Sequence, residues 1–496
     1  MGKLLNNYKD LELLRRKKKK IVLAHGVFDL FHLGHLRHLQ MCKKYGDTLV
    51  VSITDDAFVK KGPNRPVFNS SSRAEIINSI VFVDYVFINK TETAEKVIQH
   101  LKPNIYVKGK DYKNSKKDIT GNIIKEKRLT EKNKGRLIFT DEIVFSSSNL
   151  INNHFLKENY TRNINNLDIN SIKNIFKKTG KLKVAVIGEL ILDEYCFTNY
   201  LGSASKEEIV VMDYLKNNIF FGGAYALSKN ISDFVEKVDF YTAGKLDKKM
   251  LNELIKDSKK NKVNLKYFKD DYRIIKKTRF LSQKNHKLFE IYNSSSDKKF
   301  FSNARFNKLI SSKIKDYDLV IVNDFGHGLI SQKLSEILQK KSKHLCVNTQ
   351  TNAENRGFNL ITKYKKIDLI CLDLPELQLS ISQKTDEKTM ISQIFKKIKF
   401  KYFVLTLSKK GILIAKNENS KLKFFHQGAF ETNPVDTIGA GDVVFGISSI
   451  LSKLKTDITI NAFISNIFGA MKVKILGHEK KINKIDILKS INYMVK

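Results

Sequence analysis

The chain has 496 residues, 42% hydrophobic and 28% charged, with 5 Pro and no Trp, a globular composition that excludes collagen-like or largely disordered sequence. Its net charge of +38 comes mostly from Lys, with only 12 Arg, and is spread evenly: +13 over residues 1–150 and +25 over the rest. Nucleic-acid readers concentrate their charge and favour Arg forks, so no nucleic-acid partner is expected, and the charge is read as a solvated surface that also attracts anionic substrates.

Length predicts two to four domains. No apolar run reaches the ~18 residues of a membrane span. The basic start has no apolar segment behind it, so no signal peptide is expected. Cys42, Cys196, Cys346 and Cys371 are too scattered for a zinc site or a disulfide framework. These features predict a cytoplasmic protein without membrane contact.

In chain order, Lys20–Asp29 (KIVLAHGVFD) reads as an apolar strand running into a glycine turn. The next residues, through His32, Gly34 and His35, open a helix. Two imidazoles at i and i+3 share one face of its first turn, Gly34 leaves room for a phosphate, and the free N–H groups of the helix start favour an anion. Residues 151–180 are Asn- and Lys-rich and read as a linker with one entry helix. Lys181–Asp193 (KLKVAVIGELILD) is a second strand-and-turn start. Both halves alternate β-branched runs with amphipathic helical stretches, which predicts an α/β protein with two parallel-sheet domains: 1–155, a 156–180 link, and 181–496. Near the end, Asn433–Gly446 (NPVDTIGAGDVVFG) places Gly439, Ala440 and Gly441 at a helix start, where successive N–H groups form an anion hole. Asp442 follows as a carboxylate able to take a proton from a hydroxyl.

The first of these stretches resembles the H-x-G-H nucleotidyltransferases, in particular the adenylyltransferase half of the bifunctional heptose kinase/adenylyltransferases; the glycerol-3-phosphate cytidylyltransferases are similar at the same motif. Lys60–Pro66 (KKGPNRP) is similar to that family's phosphate loop, Arg73 to an arginine of its next helix, Val107–Tyr112 to its Val-Lys-Gly-x-Asp-Tyr segment, and Ser146–Ser148 to its last helix cap. The resemblance implies a Rossmann-like fold and nucleotidyl transfer from ATP or CTP to a sugar 1-phosphate. His32 and His35 are then catalytic, with Gly26, Phe28, Asp29, Gly34, Lys61, Arg65, Lys108, Gly109, Ser147 and Ser148 on the nucleotide. His25 stands where the family has Asn or Thr.

The second half resembles the ribokinase-like (pfkB-type) carbohydrate kinases, which implies an α/β sandwich with a small β lid. The matching stretches are Gly188–Asp193, Phe221–Ala224, Arg279–Ser282, Asn323–Gly328, Asp373–Glu376 and Thr406–Gly411. By resemblance Asp442 is the catalytic base, Thr406, Gly411, Gly439, Ala440 and Gly441 bind nucleotide, and Asp193, Gly222 and Gly223 bind sugar. Glu376 is then tied to Mg²⁺ through water. Ala226 replaces an Asn, Asn348–Thr351 an Asp-Pro-Lys segment and His327 a Lys, all around the sugar and phosphates. The expected whole is a bifunctional enzyme of nucleotide-sugar and surface-polysaccharide (lipopolysaccharide) synthesis, with the two halves in the reverse of the family's order. Its partners are sugar phosphates and nucleoside triphosphates; the sequence does not decide between monomer and homo-oligomer. The alternative is an active nucleotidyltransferase carrying a kinase-like sugar-sensing module.

Overall fold

The computed structural model describes residues 2–16, 19–62, 65–109, 122–140, 169–207, 209–283, 285–293, 304–431 and 433–494. Two compact units divide the chain: Met1–Arg162 together with Ile485–Lys496, and Asn163–Lys484. The sequence-based limits had placed all of 181–496 in the second domain.

In the first unit, strands β1 (Lys3–Leu5), β2 (Ile21–Gly26), β3 (Thr48–Thr54), β4 (Tyr85–Asn89), β5 (Ile105–Gly109) and β6 (Arg136–Thr140) form one sheet. Its order is β1-β4-β3-β2-β5-β6, and every pairing is parallel. Parallel strands covered on both faces must be apolar throughout. The run Ile21–Ala24 and the whole of β3 are buried accordingly. Helices α1 (Tyr8–Arg15) and α4 (Glu95–Leu101) lie together, as do α3 (Ser70–Asn78) and β4. Two apolar clusters result: Leu39, Ala74 and Ile77 belong to one with Val22 and Val51, and Leu11, Val97 and Ile98 to the other with Leu23 and Val50. Strand order reverses at β2, which pairs β3 on one side and β5 on the other, and a crevice at the carboxyl ends of such strands is where open α/β sheets bind ligands. Helix α2 (Leu33–Lys44) starts there, and α5 (Asn122–Lys132) leads into β6. The last helix of the chain, α15 (Lys484–Met494), belongs to this unit from Ile485 onward.

The second unit opens with α6 (Ile169–Thr179), the helix expected from INSIKNIFKK. Its main sheet has nine strands: β7 (Lys183–Gly188), β10 (Lys237–Lys245), β11 (Val263–Arg273), β14 (Leu319–Asp324), β15 (Leu345–Thr349), β16 (Leu369–Asp373), β17 (Tyr402–Thr406), β18 (Ile412–Glu418) and β19 (Lys421–Gln427). Their order is β11-β10-β7-β14-β15-β16-β17-β18-β19, parallel from β11 to β17, with the last two strands antiparallel. A separate four-stranded sheet, β13-β12-β8-β9, is built from β8 (Leu190–Ser203), β9 (Val210–Gly223), β12 (Ile275–Leu281) and β13 (Lys287–Asn293). It is the small β lid. The apolar helix α13 (Ala440–Lys453) is buried from Val443 to Ser452 and packs on α14 (Ile458–Lys472) and α7 (Ala224–Ile231). Burial of its body fixes where its N-terminus points. No helix among the described residues is long and apolar enough to cross a membrane.

Candidate functional site

In the first unit the chain leaves β2 at Gly26 and turns through Phe28 and Leu30, both left-handed at φ 52° and 42°. His32 then caps α2: its Nδ1 accepts hydrogen bonds from the N–H groups of Gly34 at 3.1 Å and His35 at 3.4 Å. An acceptor Nδ1 puts the ring proton on Nε2. The His35 ring stacks on His32, centroids 3.9 Å apart and planes 17° from parallel. Burial lowers the pKa of His32. It pushes His35 down to about 3, with His32, Lys61 and His38 adding to the effect. Both imidazoles are therefore neutral at pH 7 and offer hydrogen bonds rather than charge. Nδ1 of His35 is buried with no hydrogen-bond partner among the described residues.

Cations surround them. Lys61 is pushed down to about 8, by burial first and then by Arg65, with Asp29 opposing and Lys108 and Arg73 contributing further. The excess of cations about Lys61 suits a polyanion, which is what a triphosphate supplies. Lys108, on β5, donates to the His25 carbonyl at 3.3 Å, and His25 is buried and held well below its ordinary pKa by that burial and by Lys108. Asp29 was expected on the nucleotide. Its carboxylate accepts from the N–H groups of Leu30 at 3.1 Å, Val67 at 2.9 Å and Phe68 at 3.2 Å, and so ties down the loop that carries Lys61 and Arg65. Arg73, 1% exposed, donates to the carbonyls of Val27, Thr54 and Phe68 and to Asp56. It pins the loops after β2 and β3 from within. Gly109 ends β5 next to β2. Ser147, Ser148 and the 110–112 part of the Lys108 segment lie outside the described residues.

In the second unit Gly439 is the N-cap of α13 in left-handed conformation, φ 75°. A β-carbon there would lie 2.8 Å from His478 Cε1 and 3.3 Å from Lys472 Cε, whereas one on Gly441 would meet nothing within 4 Å. The turn thus presents backbone without side chains at a helix start, with open space at Gly441, while the Ala440 N–H donates to the Thr437 carbonyl at 3.3 Å. Asp442, in the first helical turn, accepts from Asn323 Nδ2 at 2.8 Å and Gln350 Nε2 at 2.7 Å, both on Oδ1. Burial raises its pKa, Asp193 adds to the rise, and the two amides and His478 counter it. Thr406 ends β17, and Gly411, at φ 91°, closes the turn into β18.

Asp193 lies on the lid strand β8. Its Oδ1 is 2.5 Å from Arg279 Nη1 on β12 and its Oδ2 is 3.4 Å from His478 Nε2. Despite burial its pKa is held down to about 2 by these partners. A β-carbon on Gly222 would lie 1.8 Å from Asp193 Oδ2, so glycine is required for the carboxylate to sit there. Gly223 caps α7 at φ 62°. Lys277, buried beside Arg279 on β12, has its pKa lowered by burial, and Lys472 is pushed down to about 8 by the same cause. Glu189 accepts from the N–H groups of Phe325, His327 and Leu329 at 3.1–3.3 Å, fixing the loop after β14. Burial and the neighbouring Asp324 raise it to about 7.

Sequence reasoning missed Gln350 as an Asp442 partner, and also Lys472, His478 and Glu189. Gln350 had been noted only as part of a departure from the family pattern; Lys472 and His478 lie in no motif, and only the backbone turn at Gly439 brings them in. Asn323 Oδ1 and His478 Nδ1 are buried without a hydrogen-bond partner among the described residues.

The described residues contain no group of three or more His, Cys, Asp or Glu placed to hold a metal ion. Glu376 forms a capping box with Asp373 at the start of α11 (Leu374–Ile381), and its oxygens accept from the N–H groups of Asp373 and Thr351. Burial, then Asp373 and Asp442, push it up to about 8. With both oxygens bonded to backbone, Glu376 suits a Mg²⁺ ion that arrives on nucleotide phosphates and is reached through water, not one held in a protein cage.

Comparison with known proteins matches residues 23–153 to the cytidylyltransferase-like model and residues 181–457 to the pfkB carbohydrate kinase model. Over the N-terminal region the chain is 44% identical over 136 residues to a protein of Helicobacter pylori (strain Shi470) named "Bifunctional protein HldE". It is 40% identical over 133 residues to one of the same name from a Nitratiruptor species. These alignments take in 27% and 26% of this chain and span 29% of the length of each relative. Among solved structures, phosphofructokinase-2 of Escherichia coli aligns with TM-score 0.51 and 13% identity over 64% of this chain and 100% of its own. A ribokinase of Giardia lamblia aligns with TM-score 0.50 and 13% identity over 62% and 98%. At that identity the likeness is one of fold.

Proposed function

Because the chain belongs to the pfkB family of carbohydrate kinases and carries a cytidylyltransferase-like domain before its kinase domain, we propose that it is a bifunctional sugar-activating enzyme. One observation carries this reading: each compact unit brings its own chemistry-bearing side chains to its own helix N-terminus, His32 and His35 at α2 and Asp442 at α13. The sequence limits 1–155 and 181–496 are kept as the proposed domains apart from the last helix. A cytoplasmic setting is kept as well, with nucleic acid and membrane left out.

In the second unit a sugar hydroxyl attacks the γ-phosphorus of ATP. The hydroxyl proton passes to Asp442, the bond to the β–γ bridging oxygen breaks, and ADP leaves. Asn323 and Gln350 hold the carboxylate ionised and aimed. The N–H groups at Gly439, Ala440 and Gly441 receive the charge that grows on the transferred phosphoryl group. Mg²⁺, when bound with the nucleotide, supplies charge neutralisation at the phosphates. Thr406 and Gly411 are assigned to the nucleotide; Asp193, Gly222 and Gly223 are assigned to the sugar. The basic side chains around Asp193, namely Arg279, Lys277, Lys472 and His478, favour a sugar that already bears a phosphate, of the heptose phosphate kind.

In the first unit an oxygen of a sugar 1-phosphate attacks the α-phosphorus of a nucleoside triphosphate, and pyrophosphate leaves as the α–β bridging bond breaks. The neutral imidazoles of His32 and His35 donate to the developing charge, and Lys61, Arg65 and Lys108 bind the polyphosphate. Gly109 leaves open space for it, Gly34 removes a side chain at the helix start, and Gly26 and Phe28 are assigned to the nucleotide by resemblance. Asp29 acts by holding the loop. Ser147 and Ser148 are assigned to the nucleotide by resemblance alone. Activated sugar for surface polysaccharide is the product this sequence of steps suits.

The test is the purified full chain with a panel of sugars and sugar phosphates, scored for ADP and pyrophosphate release with ATP and with CTP. Release of ADP with one substrate and of pyrophosphate with another supports both halves. Pyrophosphate without ADP on every sugar overturns the kinase half.

A further inference from the structure

The helix α15 is matched by neither family model, since these end at residues 153 and 457. Within the first unit it nevertheless lies against the loop Lys60–Gly62. Asp486, 9% exposed, is 3.0 Å from Lys60 Nζ, and Lys60 also pairs with Glu92. Lys61 Nζ sits 5.6 Å from the centre of the Tyr493 ring. The backbone closes in as well: a β-carbon on Gly62 would lie 3.7 Å from the Ser490 carbonyl oxygen and 3.8 Å from Met494 Cγ. Residues Asp486, Ser490, Tyr493 and Met494, at i, i+4, i+7 and i+8, make one helical stripe, and that stripe faces the loop.

We infer that α15 is a working part of the nucleotidyltransferase site, with Asp486 and Tyr493 as positioning residues for the lysines of its phosphate loop. Asp29 and Arg73 hold the far end of that loop, around Val67 and Phe68, through backbone groups. From the sheet side Lys60 has the Glu92 pair and Lys61 the charge of Asp29; α15 supplies the remaining contacts named above. A loop that concentrates like charges is pushed open by them, and a carboxylate on one side with an aromatic face under the other lysine keeps it closed before the nucleotide arrives. The preorganised loop binds triphosphate without first having to order itself. Lys60 is neutralised by its two carboxylates, which leaves Lys61 as the cation offered to phosphate.

The inference rests on reading the first unit as a nucleotidyltransferase, and the experiment separates the two. In the full chain, Asp486→Asn and Tyr493→Ala are compared with the wild type and with Tyr493→Leu. Pyrophosphate release is measured over a range of nucleoside triphosphate concentrations, and ADP formation by the second unit serves as an internal control. The expected result is a KM for the triphosphate raised roughly 3- to 10-fold in Asp486→Asn and Tyr493→Ala. The kcat should change less than that, Tyr493→Leu should follow Tyr493→Ala and not the wild type, and ADP formation should be unaltered. The Leu variant fills much of the space without a π face, so a raised KM there assigns the effect to the ring under Lys61, and a wild-type KM there overturns that role for Tyr493. Unchanged KM in both variants, with wild-type pyrophosphate release intact, overturns the inference and leaves the nucleotidyltransferase standing. A fall in both activities together overturns it too, since that marks a general loss of fold. A wild-type chain that releases no pyrophosphate with any triphosphate overturns both.

Discussion

Replacing Gln350 by Leu tests whether Asp442 is a base tuned by its amide neighbours. Gln350 Nε2 and Asn323 Nδ2 both donate to Asp442 Oδ1, at 2.7 and 2.8 Å. A hydrogen bond to an ionised partner is worth about 1.5–3 kcal/mol. Both bonds favour the carboxylate over the acid, while burial does the opposite. Leu is close to Gln in volume and removes only the donor. The Gln350 backbone stays held, because its N–H donates to the Asp324 carbonyl at 2.8 Å and its carbonyl accepts from Asn355 and Asn359. Losing one donor makes the ionised form harder to reach. Since the ionised form is the active base, the acid limb of the ADP-formation profile moves to higher pH. At about 1.36 kcal/mol per pH unit, the shift is about one to two units. The assay is kcat/KM for ADP formation between pH 5 and 9. The plateau at high pH should stay within a few-fold of wild type, because the base is then ionised in both. An acid limb that does not move, or a rate lowered by one factor at every pH, refutes the reasoning.

Asp442→Asn keeps the turn but cannot accept a proton, so ADP formation should fall by roughly 10²–10⁴ while nucleotide still binds, as measured by titration calorimetry. His32→Ala or His35→Ala should lower kcat for pyrophosphate release by roughly 10²–10³ with KM little changed; His32→Asn, which keeps an acceptor at the helix cap, should retain more stability than the Ala variant. Arg73→Met leaves the carbonyls of Val27, Thr54 and Phe68 without their buried donor and should cost the first unit about 2–4 kcal/mol, read as an earlier thermal transition with ADP formation preserved. Gly222→Ala forces a methyl group into the Asp193 carboxylate and should raise the KM for the sugar while leaving that for ATP unchanged.

The local constellations were legible in the sequence because each is written in consecutive residues. An apolar run, a glycine turn and a helix cap specify strand, bend and helix N-terminus together, so His32, His35, Gly439, Ala440, Gly441 and Asp442 could be placed at helix starts from spacing alone. The alternation of strands and helices likewise determined two parallel-sheet halves, and the lid strands were foreshadowed by Arg279–Ser282. Tertiary structure alone decided the partners of these groups. Arg279 meets Asp193 across 86 residues of chain, and Gln350 meets Asp442 across 92. Lys60 meets Asp486 from opposite ends of the chain. Asp29 was placed by motif on the nucleotide; that its carboxylate also accepts from backbone N–H groups 38 and 39 residues away is written in no single stretch. Local propensity acts through neighbours within a helical turn or a strand, and it fixes where a side chain starts. Which distant group it meets depends on how buried apolar faces bring whole elements together, and that packing has no signature in any single stretch of sequence.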